Sequence, residues 1–416
     1  MGSGQWAVGS KRMKINQWRD NFSLKFLVTL FLLLPISNAK IMAMDISGYI
    51  AASGLFFQQE PLAQEQHKHQ LALSAEVEIY HAWNENRDSI LFKPYQLIDQ
   101  YDNERTHTDI RELLWLHVAD SWELRFGISK VFWGVNEGNH LIDIINQSDQ
   151  VDSITGDEKL GQPMINLNFL NSWGNIELFI LPYFREQTYP GINGRFRSSL
   201  VVNADKTEFE SSDKEKHIDY AIRWAHSFDE FDIGIHAFKG TNRSPRYLVK
   251  TASITSSPYL VAYYDQISQL GLDLQATFDA WLLKLEALYR EDKFDKFTAL
   301  SGGIEYTFNG IFNSSTDLGV VTEYSWDERN QPNLYQFQND LLLAARVAFN
   351  NAQSSEMLIG IIQNLDHSQL RSIQIEASRR IGNNNKLILE MRWFDDHPFN
   401  PIHNDDHIQL KFMHYF

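Results

Sequence analysis

The 416 residues contain no cysteine. That excludes disulfides, thiolate metal sites and thiol nucleophiles, and it suits a chain that passes through an oxidising compartment without cross-links. Beyond Ala43 there is no long apolar run either, because each one is broken by charge within a few residues. A bilayer-spanning helix needs roughly 20 apolar residues. Membrane residence would therefore have to use strands, whose backbone groups are all satisfied only in a closed barrel. Basic residues are scarce: 37 Lys and Arg stand against 53 Asp and Glu, a net charge of −16. Such a balance argues against nucleic acid as a partner. No G-x-S-x-G elbow and no His-x-Ser-Asn-Gly pattern occurs, so no catalytic residue is assigned and neither enzyme activity nor a cofactor is expected. Low-complexity runs, internal repeats and interdomain linkers are missing as well, and residues 40–416 read as a single domain.

What is present begins with an export segment over residues 1–39. Lys11, Arg12, Lys14, Arg19 and Lys25 form a basic region, Phe26 to Leu34 an apolar core too short to span a bilayer, and Ser37-Asn38-Ala39 a cleavage site of small residues. Cleavage after Ala43 is the alternative, and Met13 is a second candidate start. Residues 1–39 hold five of the basic and one of the acidic residues, so the remainder carries a net charge of −20.

The remainder alternates. Leu71, Leu73, Ala75, Val77 and Ile79 oppose Ser74, Glu76 and Glu78; Ile218, Tyr220, Ile222 and Trp224 oppose Asp219 and Arg223. Trp281, Leu283, Leu285, Ala287 and Tyr289 oppose Lys284, Glu286 and Arg290, and Leu387, Leu389, Met391 and Trp393 oppose Glu390 and Arg392. Period-two alternation puts successive side chains on opposite faces of a strand. The same pattern fits a soluble sandwich with its polar face outward and a membrane barrel with its polar face lining a lumen.

Connection lengths separate the two. About 18 strands are expected, starting near Asp45, Gln70, Ser89, Thr108, Trp122, Met164, Asn175, His217, Phe231, Pro258, Trp281, Phe297, Thr316, Asp340, Ser354, Gln369, Lys386 and Asp406. Sixteen is the alternative, because the Ser89 stretch contains Pro94 and the first is rich in Gly and Ala. Tight turns at 119–121, 171–174, 228–230, 279–280 and 382–385 alternate with long polar connections at 133–163, 185–216, 241–257 and 327–339. The expected fold is an all-β transmembrane antiparallel barrel with short periplasmic turns and long external loops. Its 11 Trp and 16 Tyr, many near strand ends, suit the aromatic girdle that such a wall requires.

The last strand, "HIQLKFMHYF", ends on Phe416. It resembles the C-terminal strand of Gram-negative outer-membrane barrels, in which the terminal aromatic is read by the assembly machinery. A second resemblance lies in "RFGISKVFWGVNEGNHLIDIINQSD". Arg125, Gly127, Lys130, Trp133, Gly134, Asp143, Asn146 and Asp149 match the signature of a poorly characterised family of outer-membrane barrels, similar in turn to the alginate-export porin and other substrate-specific channels. Gln147 departs from the proline of that pattern. The fragments "LGQPMINLNF", "NIELFILPYF" and "YYDQISQLGLDLQATFDAWLLKLEALYRED" resemble the same family.

The resemblance implies a monomeric porin-like channel in the outer membrane of a Gram-negative bacterium, passing small polar solutes by selective diffusion. Its partners would be membrane lipid, lipopolysaccharide and the barrel-assembly machinery. The stretch from Arg125 to Asp149 runs off a strand into a long connection expected to fold inward, with Arg125 or Lys130 paired to Asp143 or Asp149. Asp219, Arg223, Asp273, Lys284, Glu286, Arg290, Glu390 and Arg392 are expected to line the pore. The alternative is a barrel that moves lipids or hydrophobic compounds or supports an export complex. His397, His403 and His407 beside Asp395, Asp396, Asp405 and Asp406 have the composition of a divalent-cation site. An acidic, solvated external loop explains them equally, and no metal is assigned.

Overall fold

The computed structural model describes residues 44–153, 156–251, 257–329, 337–395 and 402–416. The export segment over residues 1–39, its alternative end at Ala43, and Asp396 and His397 lie outside the described residues.

Eighteen strands form the wall. They are β1 (Asp45–Phe57), β2 (His69–Trp83), β3 (Asp88–Asp99), β4 (His107–Val118), β5 (Trp122–Ser129), β6 (Gln162–Phe169) and β7 (Asn175–Leu181), then β9 (Asp219–Phe228) and β10 (Phe231–Thr241). The second half comprises β13 (Gln266–Phe278), β14 (Trp281–Glu291), β15 (Lys296–Phe308), β16 (Asp317–Asp327), β17 (Asn339–Ala348), β18 (Glu356–Asn364), β19 (Arg371–Ile381), β20 (Asn385–Phe394) and β21 (His407–Tyr415). Each pairs antiparallel with its neighbours, and β1 pairs with both β2 and β21, which closes the sheet. Phe416 completes the seam: its N–H donates to the Gly48 carbonyl and its own carbonyl accepts from the Gly48 N–H, at 3.1 and 3.2 Å. Closure leaves no edge strand in the wall, the condition for backbone to cross a bilayer as sheet. Among the described residues no helix is long and apolar enough to cross a membrane.

The strand count agrees with the larger of the two expected values, and one start is displaced. The run expected from Pro258 breaks at Asp265. Its first half, β12 (Tyr259–Tyr264), pairs with β11 (Arg246–Lys250) and β8 (Glu208–Phe209) in a small sheet built from the long loops, and only β13 enters the wall. The first half, Tyr259 to Tyr264, is apolar throughout and only the second alternates, so the run reads as one strand with no turn residue to mark the exit. Pro94 is accommodated inside β3 by a register shift between Lys93 and Pro94, where the missing N–H removes a ladder bond.

The two faces of the wall differ as the alternation requires. Ile50, Leu73, Ile222, Ile235, Leu270 and Ile304 point outward and are exposed, whereas Asp273, Lys284, Glu286 and Glu323 point inward and are buried. At the short-turn rim Phe228, Phe231 and Phe278 contact one another in sequence, as do Trp281, Tyr306 and Phe308, with centroids 4.5–5.6 Å apart. This is the aromatic band that sits at a membrane interface.

Candidate functional site

Lumen-facing charges lie flat because glycines on neighbouring strands leave room for them. A Cβ at Gly234 would collide with the Arg223–Asp273 pair, at Gly240 with Asp219, at Gly271 with the His236 ring and at Gly303 with Glu323. The wall thus trades side chains for space where charge must be stored.

The connection 130–161 between β5 and β6 folds into the barrel. Asn146 holds its base: its Oδ1 accepts the Val131 N–H at 2.8 Å, and its Nδ2 donates to the Ser129 and Leu160 carbonyls at 2.9 and 2.8 Å. The Asp143 side chain is buried, accepts the Trp133 N–H and pairs with Lys159 at 3.1 Å; burial pushes its carboxyl above the usual range despite that lysine. Across the lumen, Glu286 of β14 is fully buried and accepts the N–H groups of Val135, Asn136 and Ile142 at 2.7, 2.9 and 3.2 Å. Glu323 of β16 accepts those of Glu137 and Gly138 at 2.7 and 2.8 Å, and Arg346 of β17 pairs with Glu137 at 2.6 Å. Gly134, at φ +142°, brings the backbone close enough to reach Glu286. Beneath these contacts Trp133, Ile142, Ile144 and Ile145 pack on Phe179, Phe238, Leu288 and Phe297 of the wall. Part of the lumen between β6 and β15 is therefore filled by a packed apolar core.

The loop's second half docks on β4. Asp149 accepts Thr188 Oγ1 at 2.8 Å and lies 2.9 Å from Arg111 and 3.3 Å from His107. Burial opposes its charge, but His107, Arg111 and Thr188 outweigh it and hold the carboxyl far below the usual range. Arg111 also reaches Asp152 at 2.9 Å.

Over the long-loop mouth runs the segment 188–196 of the β7–β9 connection. Asp102 is buried and accepts the Gly191 N–H on both oxygens, at 3.1 and 3.0 Å; a Cβ at Gly191 or Gly194 would strike it. Arg195, also buried, donates to Asp405 and to the Asn404 carbonyl at 2.6 Å each and stacks 4.1 Å above the Phe57 ring. Asp405 also accepts the Phe196 N–H at 3.0 Å.

Two cavities flank the inserted loop. One, of about 490 Å³, lies against β1–β3 and β19–β21 and is bounded by Asp152, Asp157 and Glu158 of the loop and by Phe196 of the mouth segment. The other, of about 380 Å³, opens beneath Phe132 and Trp133, beside Arg125, Glu177, Arg223 and Asp273.

The residues singled out in the sequence fall into two groups. Glu390 and Arg392 line the larger cavity, Arg125, Arg223 and Asp273 the smaller, and Lys130 both. Asp143, Asp149, Asp219 and Glu286 face protein instead. Asp219 accepts the Thr241 N–H and pairs with Arg243 and His217. Lys284 is buried between Glu305 and Glu323, and Arg290 donates to Gln269. The expected pairings also differ: Arg125 reaches Glu123 at 3.3 Å and Lys130 reaches Glu158 at 3.6 Å, whereas Asp143 and Asp149 take Lys159 and Arg111. Gly127, at φ +134°, lets β5 lie close against Leu113 of β4. In the last long loop Asp405 and Asp406 accept protein donors, and among the described residues no group of His and acids is arranged to hold a metal. Glu323, Arg346 and Arg111 were not anticipated, although Glu323 falls on the lumen parity of β16; Arg195 lies in a loop without periodicity and left no signal.

His140, on the inserted loop, faces Asp157 at 3.6 Å. Burial disfavours the charged ring, but Asp157, with Glu286 and Asp143 nearby, raises its pKa above the ordinary value. A raised pKa stabilises the folded loop fully below the unfolded value and ceases to do so as pH rises through the folded one. Current noise from the barrel is therefore expected to increase as pH rises past about 6.5. A His140→Gln variant should lose that dependence, measured by single-channel recording at constant salt.

A closed eighteen-stranded antiparallel sheet with a loop folded into its lumen is the architecture of a transmembrane β-barrel. No protein-family model matches the chain and no curated protein matches it. Among solved structures it is similar to OccK11 (OpdR) of Pseudomonas aeruginosa, at 10% identity and a TM-score of 0.47 over 90% of this chain and 95% of that one. It is also similar to the outer-membrane protein OmpT of Vibrio cholerae, at 7% identity and 0.44 over 90% and 97%. A mutant porin of Rh. blastica matches at 10% identity and 0.43, over 90% and 100%.

Proposed function

We propose that this protein is an outer-membrane channel through which small polar solutes diffuse passively, with the short turns in the periplasm and the long loops outside. The observation that carries this reading is the division of the lumen. The inserted loop fills one sector with apolar side chains and leaves the other as a charge-lined space of about 490 Å³. In this reading Lys130, Glu390 and Arg392 sort solutes, Phe416 is the assembly signal, lipid and lipopolysaccharide surround a monomer, and no catalysis takes place. The likeness of the Arg125–Asp149 stretch to alginate-export and other substrate-specific porins belongs to this reading and rests on the sequence signature alone. Transport of lipids or other hydrophobic compounds is disfavoured, because the apolar lumen residues Phe238, Leu288 and Phe297 are already packed against Trp133 and Ile142.

Planar-bilayer recording of the refolded barrel, residues 40–416, tests the proposal. Discrete openings with a reversal potential under a salt gradient are expected. Silence from a correctly folded, heat-modifiable barrel would overturn it.

A further inference from the structure

The larger cavity holds more charges than it pairs. Arg392 donates to Gln374 and Glu376, both at 2.7 Å, Lys130 is 3.6 Å from Glu158 and Arg111 is 2.9 Å from Asp152, so these largely cancel. Three half-buried groups remain: Glu76 on β2, Glu390 on β20 and Lys411 on β21 line the same space and have no ion-pair or hydrogen-bond partner among the described residues, Lys411 having only the Tyr49 ring, 6.0 Å from its ammonium. Glu390 stands opposite Gln409, two residues from Lys411 on the same face, and Lys411 stands opposite Ile388. The carboxylate and the ammonium are thus diagonal neighbours, roughly 7–8 Å apart at the backbone. Glu376, which faces Glu390 in the ladder, is occupied by Arg392 and leaves Glu390 uncompensated. The cations that act on Glu76 are Lys130, Lys93 and Arg111, but their ion pairs are with Glu158, with Glu78 and Glu112, and with Asp149 and Asp152.

Charges held partly out of water without partners are destabilising, and a solute bearing the complementary set relieves both signs at once. An anion alone would satisfy Lys411 and leave the glutamates bare; a cation alone would do the reverse. We propose that the chamber between the inserted loop and β19–β3 is a binding site for zwitterionic solutes that carry a primary amine and a carboxylate, of amino-acid to dipeptide size. The carboxylate meets Lys411 and the amine meets Glu390 or Glu76. This deepens the channel reading and rests on it for the route of entry, but not for binding.

The probes are alanyl-alanine, its C-terminal amide, which is only cationic, and its N-acetyl form, which is only anionic. Added to the wild-type barrel in a bilayer, the zwitterion is expected to block the current for at least about tenfold longer than either analogue, the sum of two charge-assisted contacts against one. Lys411→Met should reduce the zwitterion to the level of the amide, and Glu390→Gln to that of the N-acetyl form, with salt conductance still present in both. Equal blockade by all three probes, or no change in either variant, overturns the zwitterion site while leaving the channel standing. If no salt current appears, the channel reading fails instead. Calorimetric titration of the same three probes into the detergent-folded barrel then decides the site: preferential binding of alanyl-alanine upholds it, and equal or absent binding overturns it.

Discussion

An Arg195→Ala barrel is expected to conduct several times more current than the wild type. Arg195 closes the mouth segment through a charge-assisted bond to Asp405, a second bond to the Asn404 carbonyl and a cation–π contact with Phe57. Removing a buried, paired guanidinium also strands Asp405, and breaking such a pair costs about 3–5 kcal/mol. Each neighbouring contact is weaker than that: the Gln66 amide on the Gly194 carbonyl and the Asn193 amide on the Tyr101 carbonyl contribute about 0.5–1.5 kcal/mol each, and the Gly191 N–H on Asp102 and the Phe196 N–H on Asp405 about 1.5–3 kcal/mol each. The segment should therefore leave the mouth, and Phe196, which bounds the larger cavity, should leave with it. Arg195→Lys keeps the charge but not the fork, and an intermediate conductance is expected. The measurement is unitary conductance at fixed salt, beside heat-modifiability on gels. An unchanged conductance in a folded Arg195→Ala barrel would mean that the segment does not govern the entrance.

The second large effect belongs to Glu286. Its carboxylate collects three backbone N–H groups from the inserted loop, each such bond to a charged acceptor worth about 1.5–3 kcal/mol. Glu286→Ala leaves Val135, Asn136 and Ile142 with buried donors and no acceptor, and the loop should swing off β14. Trp133 and Ile142 would then lose their seat on Leu288 and Phe297. Larger and noisier currents are expected, together with new proteolytic cleavage between residues 130 and 161. Glu286→Gln keeps one acceptor oxygen and should fall between. Protection of the loop equal to wild type in Glu286→Ala would show that Glu323, Arg346 and the apolar core suffice to hold it.

How much of this was legible in the sequence depends on whether a residue belongs to a repeating pattern. The wall was readable because each strand must present one face to lipid and the other to the lumen, so Leu283 and Glu286 announce their sides by parity alone. The inward fold of the Arg125–Asp149 stretch was also anticipated. Its partners were not, because Glu286 and Glu323 look like any other wall charge until the loop's backbone arrives beside them. The mouth segment was illegible: Arg195 and Asp405 are 210 positions apart, in loops with no period to phase them. For β12, the strand was correct and the membership wrong, since an apolar run forms a strand in a loop sheet as readily as in the wall.

The order of the chain gives the loop's docking a further meaning. The loop's first half precedes in sequence the wall residues that hold it by hydrogen bond and ion pair: Glu286, Ser301, Glu323 and Arg346 lie at least 125 positions beyond Lys159. Phe179 and Phe238 of the first half of the wall supply part of the seat for Trp133 and Ile142, and Leu288, Phe297 and the acceptor Glu286 come only with the C-terminal half. The loop therefore acts as a spoke between the two halves of the wall. It braces near-opposite walls of a hollow cylinder whose circumference is closed by the seam between Gly48 and Phe416.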